Sequence, residues 1–296
     1  GISRAISTDG KSISLALRQE PPQLDSTKAT DQVSAMVLGH VGEGLLRYDE
    51  RNQLAPGIAE RWEISETEAT FWLRKDARWS DGSTIVAQDF VFSWRKVVEP
   101  ANASEYAFFL FPVKNGEAIN AGELPPEQLG VVAEDPHTLK VTFEKPIAYF
   151  EKLAANPTYN PVKESFYNST KGRYGADAAD LVYSGPYVIT QWVHGSNLLL
   201  EKNPNYWDRD RINIDTINIA YITSDATATL NFFNDGKIAY PSLITENLDN
   251  ALEERWHIRR EQDGTVFFLD FNHRPERVTR NWHLRRAMQL ALDMEE

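Results

Sequence analysis

The stretch WSDGSTIVAQDFVFSWRKVVEP, residues 79–100, sets a polar turn directly against a segment crowded with aromatic residues. Ser80-Asp81-Gly82 is turn chemistry: an Asp carboxylate hydrogen-bonds its own downstream backbone, and glycine accepts a positive φ without a Cβ clash. Beyond the turn, Phe90, Val91, Trp94, Val97 and Val98 fall at i, i+1, i+4, i+7 and i+8, one apolar stripe of a 3.6-residue helix. Asp89 sits in the first turn, where the helix dipole favours an anion, and Pro100 ends the run. The spacing predicts a helix whose rings, together with Trp79, form core beneath the turn rather than a ligand surface.

Working outward, SISLALR (12–18) alternates Ile13, Leu15 and Leu17 with polar partners, the pattern of a half-buried strand, and Pro21-Pro22 forces an irregular loop after it. A helix is expected to begin near Asp31, a good N-cap, and to carry Val33, Val37, Val41 and Leu45 on one side. ATFWLR (69–74) and TLKVTFE (138–144) read as strands of one sheet. LPPEQLG (124–130) and NPTYNPVK (156–163) are Pro-rich connections, the second a crossing point between domains. After it come four strand signals, SGPYVITQW, SNLLLEKN, INIDTINIAYI and TVFFLDFN, interrupted by a helical stretch around DATATLNFFNDGK with a glycine just past its end. The pattern is mixed α/β without internal repeats.

The 296 residues allow about two domains and a large core. No apolar run reaches the eighteen or so residues of a membrane span. A net charge of −12 argues against a phosphate-backbone partner, because nucleic-acid binding draws on clustered Lys and Arg. The absence of cysteine excludes disulfides, Cys-ligated metals and thiol catalysis, and suits an oxidising compartment. No apolar signal segment precedes GISRAISTDGKSISLALR, so the reading is either a cytosolic protein or a mature exported one with its signal removed.

Catalytic motifs are missing: the sequence has no G-x-S-x-G, no G-x-x-x-x-G-K and no H-E-x-x-H, and no strand leads into G-x-G-x-x-G. The six histidines lack ligand spacing, so no metal is assigned. Acidic pairs such as Asp208 and Asp210 are expected by chance among 43 acidic residues and point to no glycosidase. Eight Trp, eleven Tyr and fourteen Phe exceed what a core needs and suit a ligand cleft as well.

Six stretches, in order, carry a family resemblance: RQEPPQLDSTKATDQVS (18–34), GEGLLRYD (42–49), LAPGIAERWEIS (54–65), FWLRKDARWSDGSTIVAQDFVFSW (71–94), SGPYVITQWVHGSNLLLEKNPNYWD (184–208) and LRRAMQLALD (284–293). Together they resemble the family 5 extracellular solute-binding proteins, in particular the oligopeptide-binding branch that serves peptide ABC importers. The resemblance implies a class II periplasmic-binding-protein fold, an α/β lobe with an inserted α/β domain. It divides the chain into first lobe (1–45), inserted domain (46–168), return to the first lobe (169–271) and the start of a second lobe (272–296). Because LALDMEE falls inside the helix that opens the second lobe in such proteins, that lobe is expected to be mostly missing. The WSDG turn and its helix would lie in the inserted domain, as a rigid platform beside the cleft.

The implied function is capture of short peptides in extended form between two lobes, as an added strand with roomy hydrated pockets, and delivery to permease subunits at the inner membrane. The implied setting is the periplasm, or the cell surface as a lipoprotein of a Gram-positive bacterium, with a monomer when full length, no catalysis and no cofactor. Carried over residue by residue, the cleft is lined by Ala29, Thr30, Asp31, Gln32 and Val33, with Tyr106, Ser242, Leu243, Thr265, Val266 and Phe267. Asp31 serves equally as a cap and Phe267 equally as core. The acidic partner of the ligand's amino terminus belongs to the second lobe. Two departures stand out: Val86 replaces the family's capping Thr, so that Thr84 or Ser83 would have to substitute, and the family's G-E-I-D becomes Gly236-Lys237-Ile238-Ala239. Other members bind nickel chelates, haem, sugars, antibiotics or murein peptides. A peptide or glycan hydrolase would need a nucleophile or metal, and a cytosolic sensor would need a basic DNA-binding helix pair; neither is in the sequence.

Overall fold

The computed structural model describes residues 11–49, 51 and 53–239, together with Ala5 and Ser7. The elements run β1 (Ser12–Leu17), α1 (Gln32–Val41), β2 (Leu46–Tyr48), β3 (Leu54–Pro56), β4 (Ala59–Ile64), β5 (Glu68–Leu73), α2 (Ala87–Val98) and α3 (Gly116–Asn120). They continue with β6 (Val131–Asp135), β7 (Thr138–Thr142), α4 (Phe150–Ala154), α5 (Glu164–Ser169), β8 (Tyr187–Val193), β9 (Asn197–Lys202), β10 (Thr216–Ile222) and α6 (Ala226–Asn234).

Two four-stranded sheets organise these elements, in the orders β1-β10-β9-β8 and β4-β5-β7-β6. The second is antiparallel throughout, and the two strands read as one sheet, β5 and β7, pair directly with Phe71 opposite Leu139. The first is mixed: β1 runs parallel to β10, while β10, β9 and β8 are antiparallel. Alternation along β1 buries Ile13, Leu15 and Leu17, as its sequence period requires.

Each sheet has its own apolar core. One draws on residues between Leu45 and Tyr159, with Val182 added, and centres on Trp79, Phe90 and Trp94. Trp94 is fully buried and meets Phe90, Phe150 and Tyr159 edge to face at centroid distances of 6.4, 6.3 and 5.0 Å. Its Nε1–H donates to the Tyr159 carbonyl at 3.0 Å, so the polar end of the ring is satisfied inside the core. The rings behind the WSDG turn are therefore core. The other centre packs β1, α1 and strands β8 to β10 around Leu24, Val162, Tyr187, Leu198 and Ile217. The chain passes from the first core at Tyr159 to the second at Val162 within NPTYNPVK.

Two local expectations need correction. Helix α1 stops at Val41, with Gly42 at its C-cap, so Leu45 is not on its face; it is buried in the other core. Neither Thr84 nor Ser83 caps α2. Val86 has no side-chain acceptor, and Asp89 three residues on takes the Val86 N–H on Oδ2 at 2.9 Å and the Trp79 Nε1–H on the same oxygen at 3.1 Å. TVFFLDFN lies outside the described residues.

Candidate ligand-binding site

Because β1 and β10 are parallel, the loops leaving both strands emerge at the same edge of their sheet, the edge at which open α/β sheets hold ligands. The loop after β1 reaches α1 through the candidate segment. Ala29, Thr30, Asp31 and Gln32 are half-buried, and Val33 turns its side chain into the core. Asp31 has extended backbone (φ −93°, ψ 156°), and its Oδ2 accepts the Ser34 N–H at 2.8 Å, so it caps α1. Gln32 Oε1 accepts a bond from Arg18 Nη2 at 3.1 Å.

Tyr106 reaches this segment from the aromatic unit: its hydroxyl donates to the Thr30 carbonyl at 2.7 Å. Its ring stands edge to face with Phe108 and Phe109, at 5.7 and 5.1 Å. Residues 76 positions apart are thus brought together. Ser242, Leu243, Thr265, Val266 and Phe267 lie outside the described residues.

Sequence reasoning missed what supports the segment. Asp25 is buried, and its Oδ1 accepts both the N–H and the hydroxyl of Thr27, at 2.9 and 2.7 Å. Burial pushes its carboxyl above the usual carboxylate range, against the opposing pull of the Thr27 bonds and of Lys28 and Lys96. The pattern Asp25-Ser26-Thr27 is an Asx turn and could have flagged the loop.

The WSDG turn contacts the other core directly. The Ser80 N–H donates to the Tyr183 carbonyl (2.8 Å), the Tyr183 N–H to Ser80 Oγ (2.9 Å), and Asn205 Nδ2 to the Ser80 carbonyl (3.0 Å). Lys163 Nζ lies 2.6 Å from Asp81 Oδ2 and 3.0 Å from Ser83 Oγ. A second joint forms around Glu43, fully buried between the cores. Its carboxylate accepts the Tyr206 hydroxyl and the Trp207 Nε1–H, the latter at 2.6 Å. Burial raises the Glu43 pKa, opposed by Arg47, the two hydrogen bonds and Arg74. Arg74 lies 3.6 Å from the Trp207 ring centroid. Among the described residues no group of three His, Cys, Asp or Glu is placed to hold a metal ion, and no helix is long and apolar enough to cross a membrane.

Two α/β cores, with loops delivered to one sheet edge, form part of a substrate-binding protein of the periplasmic-binding type. The model for bacterial extracellular solute-binding proteins, family 5 Middle, matches residues 53–296, and the chain belongs to that family. It is 32% identical over 282 residues to the periplasmic oligopeptide-binding protein OppA of Salmonella typhimurium, covering 93% of this chain and 51% of that protein. Among solved structures, it matches the substrate-binding domain of an oligopeptide ABC transporter from Bacillus anthracis with a TM-score of 0.77 at 39% identity, covering 81% of this chain and 46% of the other. It matches OppA of Listeria monocytogenes bound to peptide with a TM-score of 0.74 at 36% identity, covering 77% and 45%. The chain spans about half the length of the curated relatives it matches.

Proposed function

We propose that this chain contributes one wall of the substrate-binding component of a peptide ABC importer. In this reading the complete protein takes short peptides in extended form between two lobes and hands them to membrane permease subunits, without catalysis, in the periplasm or anchored at the cell surface. Residues 1–45 and 169–271 serve as the first lobe and 46–168 as the inserted domain; the two cores support a division into two such units, with Leu45 in the aromatic core and the chain entering the other core at Val162. Ser242, Leu243, Thr265, Val266 and Phe267 complete the wall begun by Ala29 to Val33.

The observation that carries the reading is the half-exposed segment Ala29 to Asp31 that leads into α1 at the sheet edge, with Asp31 extended and the Thr30 carbonyl fixed by Tyr106. A main-chain surface of this kind binds another main chain by strand addition and is indifferent to the ligand's side chains, which is what a broad peptide receptor requires. Calorimetry of the complete protein that carries this sequence, against a mixed set of two- to five-residue peptides, tests it. Micromolar or tighter binding across unrelated side chains is expected. Silence with every peptide, alongside tight binding of a nickel chelate, haem or a sugar, overturns the peptide assignment.

A further inference from the structure

The loop leading into the candidate segment is held from both cores. On the side of the strand core, the Leu24 N–H donates to the Gly175 carbonyl at 2.8 Å. Within the loop, the Asp25 carbonyl accepts the amides of Lys28 and Ala29, at 3.0 and 2.9 Å. From the aromatic unit come two side chains. Asn102, buried at the end of the short helical turn after α2, donates from Nδ2 to Thr27 Oγ1 at 3.1 Å. Tyr106 donates to the Thr30 carbonyl at 2.7 Å. The acceptors are three residues apart and the donors four, so one short segment grips the loop at two points immediately before and within Ala29 to Val33.

A strand-like ligand site needs a fixed register, since slipping by one residue turns every partner to the opposite face. Fixing a loop at one point leaves it free to pivot, whereas two points three residues apart prevent both sliding and rotation. Order established before binding is entropy the ligand does not have to remove. Neither Asn102 nor Thr27 offers its bonded atoms to a ligand, because both residues are buried.

We propose that Asn102 and Tyr106 are positioning residues that act through Thr27 and Thr30 to hold the Ala29–Asp31 backbone, just ahead of α1, in the register a ligand main chain meets. The role rests on the peptide reading above for the identity of the ligand. Because the grip sets the position of the loop's main chain and presents nothing to a ligand side chain, its loss weakens all peptides by the same factor, whatever their side chains.

Two readouts test this on Asn102→Ala, Tyr106→Phe, Thr27→Val and Thr27→Ser in the complete protein. The first is hydrogen exchange without ligand at the amides of Lys28, Ala29 and Ser34, whose acceptors lie in the loop. The second is affinity for a panel of tripeptides differing in side chains. Asn102→Ala, Tyr106→Phe and Thr27→Val are expected to speed exchange at these amides about tenfold and to weaken every peptide about tenfold. Thr27→Ser, which keeps the hydroxyl, behaves as wild type. Unchanged exchange in Tyr106→Phe and Asn102→Ala overturns the proposal. So does a Thr27→Ser variant as impaired as Thr27→Val, which makes the site one of packing, or an affinity loss that varies with peptide side chain. If the wild type binds none of the peptides the peptide reading falls, while the exchange data still decide whether the grip exists.

Discussion

Ser80 and Tyr183 exchange two hydrogen bonds, N–H to carbonyl at 2.8 Å and N–H to hydroxyl oxygen at 2.9 Å, although 103 residues separate them. The pairing resembles one rung of a sheet ladder with a serine side chain replacing a carbonyl, and it joins the turn in front of the aromatic core to the loop before β8. Ser80→Ala keeps the turn backbone but leaves the N–H of buried Tyr183 without an acceptor. Its expected cost is about 1–2 kcal/mol, read as a lower urea midpoint at unchanged m-value. A midpoint equal to wild type would show that the joint is held elsewhere.

Gly82 and Gly175 both have positive φ, 86° and 80°, but only one is enclosed. A Cβ on Gly82 meets nothing within 4 Å, whereas a Cβ on Gly175 overlaps the backbone of Leu24 and Asp25. Gly82→Ala therefore carries the left-handed backbone term alone, about 1 kcal/mol. Gly175→Ala adds a clash that backbone atoms cannot swing away from, for about 2–4 kcal/mol in total. Equal losses in the two variants, by chemical denaturation, would mean that the Gly175 loop relaxes freely.

Asp89 supplies a pH dependence with a definite sign. Burial pushes its carboxyl up to about 6 from an ordinary 3.8, against the opposing Val86 and Trp79 bonds. The folded state thus holds the proton more tightly than the unfolded chain. The stabilisation from this group is complete below about pH 4 and is lost as pH rises through about 6, a swing on the order of 2 kcal/mol. Asp89→Asn does not titrate and keeps one acceptor oxygen. The stability difference between wild type and Asp89→Asn should therefore shift against wild type between pH 4 and 7. A difference that is flat with pH would place the Asp89 pKa near its unfolded value.

What the sequence made legible was local and periodic. Alternation in SISLALR gave β1, the 3.6-residue stripe gave α2, and Asp31 at the head of α1 gave its cap. Leu45 was misplaced because its apolar character continues the α1 stripe, while the glycines at 42 and 44 end the helix and send it into the other core. The Asp89 bond to Val86 was hidden because aspartate in a first turn satisfies the dipole argument with or without reaching back. The site was legible only in outline. Resemblance pointed to Ala29–Val33 and to Tyr106, but their union through Thr30, and the Asn102 bond to Thr27 across 75 positions, carry no period in sequence. Long-range polar pairs are set by how two cores dock, and each half of such a pair looks like an ordinary polar residue.

Glu43 shows how much such a pair can hold. It follows α1 directly, and its carboxylate receives Tyr206 and Trp207 from the NYWD stretch more than 160 residues later. Trp207 packs against both cores, and Arg74 lies over its ring, so the carboxylate, indole and guanidinium form one unit at the seam. An amide in place of the carboxylate keeps one acceptor for two donors, turns an N–H₂ group toward one of them and removes the negative charge facing Arg47 and Arg74. Glu43→Gln is expected to cost about 2–4 kcal/mol, more than Ser80→Ala, because the Tyr206 donor is buried and the Trp207 donor half-buried, and the arginines lose their counter-charge. Trp207→Phe removes a single N–H and keeps an aromatic face under Arg74, and should cost less, about 1–2 kcal/mol. Urea unfolding of the two variants beside wild type gives the ranking. If Glu43→Gln matched wild type, a carboxylate would be unnecessary at the seam, and the two cores would be joined by packing and by the other polar contacts, those of Ser80, Asn102 and Tyr106 among them.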